Sequence, residues 1–415
     1  MPALDDGEGF GIDHGCDGIT IIYGSDIPTA LETGEDTVVC LMAADRFADR
    51  NALPVARGEA GELAALAKAT GCYVAYVNLT GAADDCVFAG GSCVFDPEGR
   101  LLDHASACNQ EVISFDTKPQ SELETLDAVR EVSDEMELTY NACVMATRDY
   151  LAKNGFTDCV IGLSGGIDSA VVAAIAADAI GGEHVHAVLM PSPYSSEGSV
   201  NDSLELAGNM GIETVTLPID EPMGVFHEVL GKSCGGEVSG LAAENLQARI
   251  RTVYLMTLSN AHGWMLLNTG NKSEAAMGFS TLYGDTAGAF APVGDLYKTQ
   301  VYELARWRAA QGPSIPEACI TKAPSAELYP GGKDEDRLPP YDLLDMVLVN
   351  HIELGKGAAQ LVDEGFDADL VKQVLSATAR NEYKRRSEPI APHLGGISLT
   401  SQRAWPITNG WIDTL

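Results

Sequence analysis

The sequence predicts an α/β protein with a doubly wound parallel sheet and a smaller α/β region before it. From residue 131 onward, apolar strand-like runs alternate with helical patterns, as they do in open parallel sheets. The residues before about 120 contain many strand-like runs and few helical ones. A polar, proline-bearing stretch at 116–124 separates the two patterns. We therefore expect domains at 1–120 and 125–415.

The first region is predicted to be a small mixed unit. One segment, 61–69, has helical patterning and should end near Gly71. Five further runs are rich in β-branched and aromatic residues and bounded by turn residues, which indicates strands. These runs lie at 18–23, 37–41, 72–77, 91–95 and 111–115.

The second region supplies the parallel sheet. Its predicted strands lie at 159–163, 185–190, 213–217 and 264–268, and its predicted helices at 131–154, from 168, 201–210 and 243–260. Ligands of doubly wound sheets bind at the carboxyl ends of the strands. The polar loops that follow these strands are therefore the candidate site.

The composition excludes some classes of partner. The chain has 415 residues, with 60 Asp and Glu against 26 Lys and Arg, for a formal net charge of -34. Nucleic acids and anionic membranes bind basic surfaces, so neither is expected as a partner. Ten cysteines are scattered without a metal-ligand spacing, which is typical of reduced cytosolic proteins. With no apolar run long enough to span a bilayer and no leader pattern in residues 1–8, we expect a cytoplasmic protein.

The loop at 164–169, Ser-Gly-Gly-Ile-Asp-Ser, follows a buried strand and opens an Ala-rich helix. The helix N-terminus would direct free N–H groups at a ligand, which predicts an anion site. The loop lacks the lysine of a Walker A motif and offers Ser164, Ser169 and Asp168 instead. A carboxylate beside a polyphosphate requires a divalent cation between them. The alternative is an ordinary turn in which Asp168 or Ser169 caps the helix.

A second polar turn follows the strand at 264–268. Residues 269–274, Thr-Gly-Asn-Lys-Ser-Glu, supply a cation, Lys272, and a carboxylate, Glu274. Asp168 and Glu274 would lie at the ends of different strands of one sheet, where they could share a cation. We favour this metal site over the alternative, in which both are helix-start acids stabilised by the macrodipole.

Further polar residues extend the candidate site. Asn245, Gln247, Arg249 and Arg251 interrupt an apolar helical pattern, although a solvated helix face would explain them equally well. The glycine-containing stretch 279–289 suits an active-site cover. The other cations expected near phosphates are Lys298, Lys322 and the run at 383–386.

Together these motifs resemble the ATP pyrophosphatases and, within them, NAD synthetase. The resemblance covers about residues 131–407 and implies an adenine nucleotide alpha hydrolase-like fold. It also implies a ligase reaction in which ATP adenylates the nicotinate carboxylate of deamido-NAD, pyrophosphate leaves, and ammonia displaces AMP to give NAD. The motifs lie at 164–169, 244–251, 269–274, 280–285, 322–328 and 382–386.

The resemblance also implies roles for individual residues. It places Mg²⁺ on Asp168 and Glu274, which with Lys272 form the catalytic set. Deamido-NAD would contact Asn245, Arg249, Glu274, Asp285 and Lys384. ATP would contact Gly162, Leu163, Ser164, Gly165, Gly166, Ile167, Asp168, Ser169, Met190, Thr269, Lys298 and Ser325. Members of the family form homodimers, so at least a dimer is expected.

Residues 1–120 resemble the back half of the nitrilase-like amidase that feeds ammonia to glutamine-using members. The family's Cys-Glu-Asp tripeptide is replaced by Gly24-Ser25-Asp26, which lacks the nucleophile. A decayed amidase or a truncated chain start would explain this. We therefore expect ammonia as the nitrogen donor, from solution or from a separate glutaminase.

Three alternatives stay open. The first is a glutamine-hydrolysing synthetase whose amidase is truncated or supplied in trans. The second is another member of the same loop family, such as GMP synthetase, asparagine synthetase or a tRNA-modifying ligase, which the motifs at 269–274 and 322–328 and the acidic charge oppose. The third is a catalytically inactive nucleotide-binding scaffold.

Overall fold

The computed structural model describes residues 11–16, 19–23, 37–49, 52–58, 60–117, 133–408 and 410. The chain divides into unit 1, residues 1–145 and 393–395, and unit 2, residues 146–392 and 396–415. The predicted domain boundary at 120–125 and the tripeptide Gly24-Ser25-Asp26 lie outside the described residues. Within the described part of the chain, no helix combines the length and apolar character that crossing a bilayer requires.

Unit 1 is strand-rich, as predicted. Its six-stranded sheet has the order β1-β2-β3-β4-β7-β8, in which β2, β3 and β4 are parallel, while β5 and β6 form a separate hairpin. Leu63 and Leu66 of α1 pack on the sheet in a core with Val39, Val74 and Phe95. The elements are β1 Gly11–Cys16, β2 Ile19–Tyr23, β3 Val38–Ala43, α1 Gly61–Thr70, β4 Tyr73–Asn78, β5 Thr80–Ala83, β6 Cys86–Ala89, β7 Cys93–Phe95 and β8 Leu101–His104.

Two predictions in unit 1 have different outcomes. Helix α1 ends where expected, because Gly71 adopts the left-handed conformation (φ 67°) and its N–H donates to the carbonyl of Ala67. The predicted strand at 111–115 is wrong, since these residues are irregular. Val112 is exposed and Phe115 packs its ring on Tyr73, 5.9 Å between centroids. The run therefore packs through the Phe115 ring and does not pair with a neighbouring strand.

Unit 2 alternates strands and helices. Its elements in chain order are α2 Glu135–Lys153, β9 Cys159–Gly162, α3 Ile167–Ile180, β10 Val185–Leu189, α4 Glu197–Met210, β11 Glu213–Thr216, α5 Asp220–Cys234, α6 Leu241–His262, β12 Met265–Leu266, α7 Lys272–Met277, α8 Lys298–Ala310, α9 Glu317–Thr321, α10 Tyr341–Ile352, α11 Ala358–Asp363, α12 Ala368–Arg380 and α13 Glu382–Arg385. The unit boundary falls within α2.

The sheet of unit 2 is parallel and doubly wound, which confirms the predicted fold class. Its order is β11-β10-β9-β12, so the chain moves outward from β9 in one direction and then returns to its other side. The loops after β9 and β12 therefore meet at the point where the winding reverses, the usual ligand position in such folds. Helix α3 is buried along most of its length and also contacts α8.

Some boundaries differ from the prediction for identifiable reasons. Helix α4 starts at Glu197, earlier than residue 201, because the Ser196 hydroxyl caps it by accepting from the Ser199 N–H at 3.1 Å. Helix α5 was not predicted. Met223 is its one buried residue, and its other apolar residues are largely exposed.

Candidate active site at the carboxyl ends of the strands

A cavity of about 530 Å³ lies at the carboxyl ends of β9, β10 and β12. Most of the predicted site residues line it. These are Gly162, Leu163, Ser164, Gly166, Ile167, Asp168, Ser169, Met190, Asn245, Thr269, Glu274, Asp285, Lys298, Ser325 and Lys384. Gly165, Arg249 and Lys272 are not among the lining residues.

The loop at 164–169 is held closed by its two serines. Their hydroxyl oxygens lie 3.0 Å apart, and Ser169 Oγ donates to the Gly166 carbonyl at 3.0 Å. The Gly166 N–H donates to Ser164 Oγ at 3.3 Å. Gly166 is the N-cap of α3 and has no capping side chain, so the helix N-terminus at the cavity has donors left for a ligand.

Gly165 shapes this loop from behind. Its φ of 74° is left-handed, and a Cβ there would lie 2.3 Å from the Ser199 carbonyl oxygen. Only glycine fits both the conformation and the space. Glycine at this position therefore allows α4 to lie close to the loop, although Gly165 itself does not line the cavity.

The two predicted metal ligands meet across one cation. Lys298 Nζ lies 2.5 Å from Asp168 Oδ2 and 3.3 Å from Glu274 Oε1. Burial alone would lower the pKa of Lys298. The facing carboxylates of Asp168 and Glu274 outweigh burial, so its pKa lies above the ordinary value. Burial raises the pKa of Glu274 to about 8 although the Lys298 ammonium opposes the shift. The site thus holds two carboxyl groups and a charged ammonium.

Local structure fixes Glu274 and Lys298. Asn271 caps α7 by accepting from the Glu274 N–H at 3.0 Å, and its own N–H donates to Glu274 Oε2 at 3.3 Å. The start of α8 is tied to α7, because the Lys298 N–H donates to Ser273 Oγ at 2.9 Å. Ser273 Oγ in turn donates to buried Asp345 at 2.5 Å. These contacts bring both side chains to the cavity from the first turns of α7 and α8.

Lys272 lies away from the other predicted catalytic residues. Its buried ammonium forms ion pairs with Asp295 Oδ1 at 3.1 Å and Glu353 Oε1 at 2.8 Å. Lys272 and Glu274 are two residues apart, and two helical residues point about 200° apart around the axis. This geometry places Lys272 in an interior ion-pair network, so it does not face the Asp168–Glu274 pair as the sequence analysis expected.

The two arginines of α6 that the sequence singles out, Arg249 and Arg251, also lie in different environments. Arg249 is exposed and its Nε donates to the Leu282 carbonyl at 3.2 Å. Arg251 lines the cavity and donates to the Met190 carbonyl at 3.1 Å. Burial lowers the pKa of Arg251 to about 10, which leaves it charged at neutral pH. Arg251 stands out in the sequence because cations are scarce there, but the resemblance gives it no role in ligand binding.

Lys384 and Asp285 form another polar part of the cavity. Lys384 Nζ donates to the carbonyls of Gly278 and Ser280, both at 2.7 Å. Burial raises the pKa of Asp285 to about 6, and Oδ1 of Asp285 accepts from the Thr281 N–H at 2.5 Å. Asn245 Oδ1 accepts from the Thr281 hydroxyl at 2.8 Å.

The segment 322–337 lines one side of the cavity and includes Arg337, which lies beyond the motif at 322–328. Glu327 Oε1 accepts from the hydroxyls of Ser196 at 3.0 Å and Ser199 at 2.7 Å. Arg337 forms an ion pair with Glu244 at 2.8 Å. Lys322, expected near phosphates, pairs with Asp202 at 2.6 Å. Their partners are about 90 to 130 positions away in sequence, so no local pattern could have revealed them.

The donor set at Asp168 and Glu274 fits a divalent cation. Both carboxylates reach a single ammonium nitrogen, so they converge on one point. Among the described residues, no group of three or more His, Cys, Asp and Glu side chains forms a complete metal cage. Magnesium commonly binds through one or two carboxylates and completes its shell with phosphate oxygens and water.

Comparison with protein-family models identifies the family to which the chain belongs. Residues 139–388 match the NAD synthase family model, and residues 62–123 match the carbon-nitrogen hydrolase model. The chain belongs to the NAD synthase family. The NAD synthase region contains every residue of the cavity described above, and the hydrolase match confirms the predicted nitrilase-like region.

Individual relatives agree with this NAD synthase assignment. The chain is 42% identical over 353 residues to the glutamine-dependent NAD(+) synthetase of Acinetobacter baylyi, covering 84% of this chain and 65% of the relative. It is 40% identical to that of Thermotoga maritima over 376 residues, covering 82% and 65%. The chain therefore spans about 65% of the length of these curated relatives.

A solved relative supports the same NAD synthase fold. The structure of glutamine-dependent NAD+ synthetase from Acinetobacter baumannii, in complex with ADP, matches with a TM-score of 0.65 and 34% identity. The match covers 99% of this chain and 76% of that one.

Proposed function

We propose that this chain is a ligase that amidates deamido-NAD to NAD, with cleavage of ATP to AMP and pyrophosphate. The observation that carries the proposal is the arrangement of one cavity. It joins the N-terminus of α3, the Asp168–Glu274 pair and the polar residues around Lys384. The N-terminus of α3 can bind an anion, and beside the converging carboxyl groups it suits a triphosphate. The part of the cavity around Lys384 is polar and suits a second, polar substrate.

The chemistry requires activation of a carboxylate. The nicotinate carboxylate has a poor leaving group, so its oxygen first attacks the α-phosphorus of ATP and pyrophosphate leaves. Negative charge grows on the departing pyrophosphate, where the free N–H groups of α3 and the Lys298 ammonium would stabilise it. Ammonia then attacks the adenylated carbonyl carbon, AMP leaves, and the nitrogen loses a proton to give the amide.

Magnesium is the proposed metal, held by Asp168 and Glu274. When bound, it would supply positive charge against the phosphate oxygens. The chain's own part is to hold the two carboxylates at a fixed spacing. Asn271 does this by contacting both Asp168 and Glu274.

Deamido-NAD is proposed to bind Asn245, Asp285 and Lys384, which line the cavity together. The earlier assignment of Arg249 to this substrate is supported only by the resemblance, because its side chain is exposed. We propose Arg251 as the guanidinium that contacts a phosphate or ribose within the cavity. Removing the Arg251 guanidinium therefore tests this assignment directly.

Glutamine is proposed as the nitrogen source in place of free ammonium. The curated relatives are named for glutamine dependence, which favours this alternative over the ammonia expected from the sequence. The tripeptide Gly24-Ser25-Asp26 offers no thiol for an amidase. We therefore propose that hydrolysis is supplied in trans and that ammonia itself reaches the synthetase site.

Parallel assays of NAD formation test the nitrogen source. The purified chain should form NAD with ATP, deamido-NAD and ammonium. With glutamine it should form NAD only after a purified glutaminase is added. A chain that uses glutamine as fast as ammonium, with contaminating glutaminase excluded, would disprove hydrolysis in trans. A scaffold without activity would bind ATP and form NAD with neither donor.

We also propose a cytoplasmic homodimer, with domains divided at 120–125. An exposed apolar row on adjacent helices α5 and α6 supports the dimer, since monomeric proteins seldom expose large apolar patches. Analytical ultracentrifugation of Phe226→Glu tests whether this face forms the dimer interface. The control variant is Leu354→Glu, at another exposed apolar residue. Only the first should give monomers. The row consists of Val225, Phe226, Val229 and Leu230 on α5 and Val253 and Met256 on α6.

A further inference from the structure

The ammonium of Lys298 occupies the position at which the two proposed metal ligands converge. Its side chain is 2% exposed, and Nζ reaches Asp168 Oδ2 and Glu274 Oε1. The ring of Tyr341 lies beneath it, 5.1 Å from Nζ to the centroid. The ammonium is therefore enclosed as well as paired.

Each of the other two carboxylate oxygens accepts a hydrogen bond from Asn271. Asp168 Oδ1 accepts from Asn271 Nδ2 at 2.9 Å, and Glu274 Oε2 accepts from the Asn271 N–H at 3.3 Å. A cation that bridges Asp168 Oδ2 and Glu274 Oε1, the two oxygens that converge, would take the place that the Lys298 ammonium holds. A metal and an ammonium on the same two oxygens would lie within a few ångströms of each other, and their positive charges would repel.

We propose that Lys298 is an exchangeable counter-cation, which neutralises the carboxylate pair without ATP and moves onto the ATP phosphates when metal and nucleotide arrive together. Divalent metal then binds strongly only with nucleotide. The inference rests on the proposed function to the extent that a nucleoside triphosphate is the ligand. No covalent bond changes in this exchange.

The charges explain why nucleotide is needed. A divalent cation added beside the ammonium would place a charge of +3 against at most -2 on the two carboxyl groups. The phosphates of ATP supply the missing negative charge and give the ammonium another partner. Lysine suits the exchange because its charge is compact and its stem has four flexible carbons.

Binding of Mn²⁺ to the full chain without nucleotide tests the exchange, with free metal measured by electron paramagnetic resonance. Lys298→Met should bind Mn²⁺ at least about tenfold more tightly than the wild type, because like-charge competition is removed. The matched control is Lys356→Met, which removes the same charge from a pair with Glu364 outside the cavity. It should bind Mn²⁺ as the wild type does. Lys298→Arg, which keeps the charge, should also stay weak.

Equal affinity of Lys298→Met and the wild type would overturn the exchange. If the variant does not fold, the wild type decides, because Mn²⁺ alone should raise its Tm far less than Mn²⁺ with ADP. Equal protection by Mn²⁺ with and without ADP would also overturn it. These readouts do not depend on NAD formation. A chain that shows the exchange without making NAD would refute only the proposed function.

Discussion

Asn271 donates a hydrogen bond from Nδ2 to Asp168 Oδ1 at 2.9 Å, while its own Oδ1 accepts from the Glu274 N–H at 3.0 Å. One buried side chain thereby ties the loop after β9 to the turn after β12, where the winding of the sheet reverses. The Asn271 amide therefore helps to set the spacing of the two proposed metal ligands, beside the Lys298 ammonium that contacts both.

Asn271 should act as a positioning residue. Asn271→Ser keeps a capping oxygen but loses the donor to Asp168, and we expect the KM for magnesium–ATP to rise roughly tenfold. Asn271→Asp places a carboxylate against Asp168 and should cost more. Asp367→Ser changes the cap of α12 outside the cavity and is the control. Loss of stability without a change in KM would indicate a capping role only.

Gly165 should be intolerant of a side chain. Gly165→Ala combines a left-handed φ of 74° with a clash against the Ser199 backbone, so we expect a stability loss of at least ~1–3 kcal/mol and weaker nucleotide binding. Urea denaturation and nucleotide titration measure both effects. Gly208→Ala on α4 has open space around its Cβ and should be neutral or stabilising. Similar behaviour of the two variants would contradict the conformational argument.

Arg251 and Arg249 form a matched pair on one helix. Arg251→Met should raise the KM for ATP or deamido-NAD by about 10- to 100-fold, since a hydrogen bond to a charged group contributes about 1.5–3 kcal/mol. Arg249→Met should change either KM less, because its side chain is exposed and does not line the cavity. Steady-state kinetics with each substrate varied in turn decide between them. A larger effect of Arg249→Met would restore its assignment to deamido-NAD.

Asp285 should make stability depend on pH. Burial raises its native pKa to about 6, so between pH 4 and 6 the native state binds more protons than the unfolded state. Stability then falls as pH rises through this window, by less than a fully buried carboxyl would give, because Asp285 is also reached by solvent. Asp285→Asn should flatten this slope in urea denaturation, whereas Asp363→Asn, on α11 outside the cavity, should not. An unchanged slope in Asp285→Asn would refute the shift.

The sequence predicts this site unevenly, and the reason is physical. The loop at 164–169 is recognisable because strand, glycine loop and helix are consecutive in the chain. Side-chain direction is harder to predict, since residues two apart on a helix point to nearly opposite faces. For that reason the sequence could not separate Arg251 from Arg249, or foresee that Lys272 faces Asp295 and Glu353.

Formation of NAD from deamido-NAD, ATP and ammonium tests the central claim most directly. The wild type should form one NAD per pyrophosphate released. Asp168→Asn should retain its fold by circular dichroism and lose roughly 10²-fold or more in rate, as expected when preorganised charge stabilisation is removed. A wild-type chain that binds ATP but forms no NAD, or an Asp168→Asn variant as active as the wild type, would contradict the account.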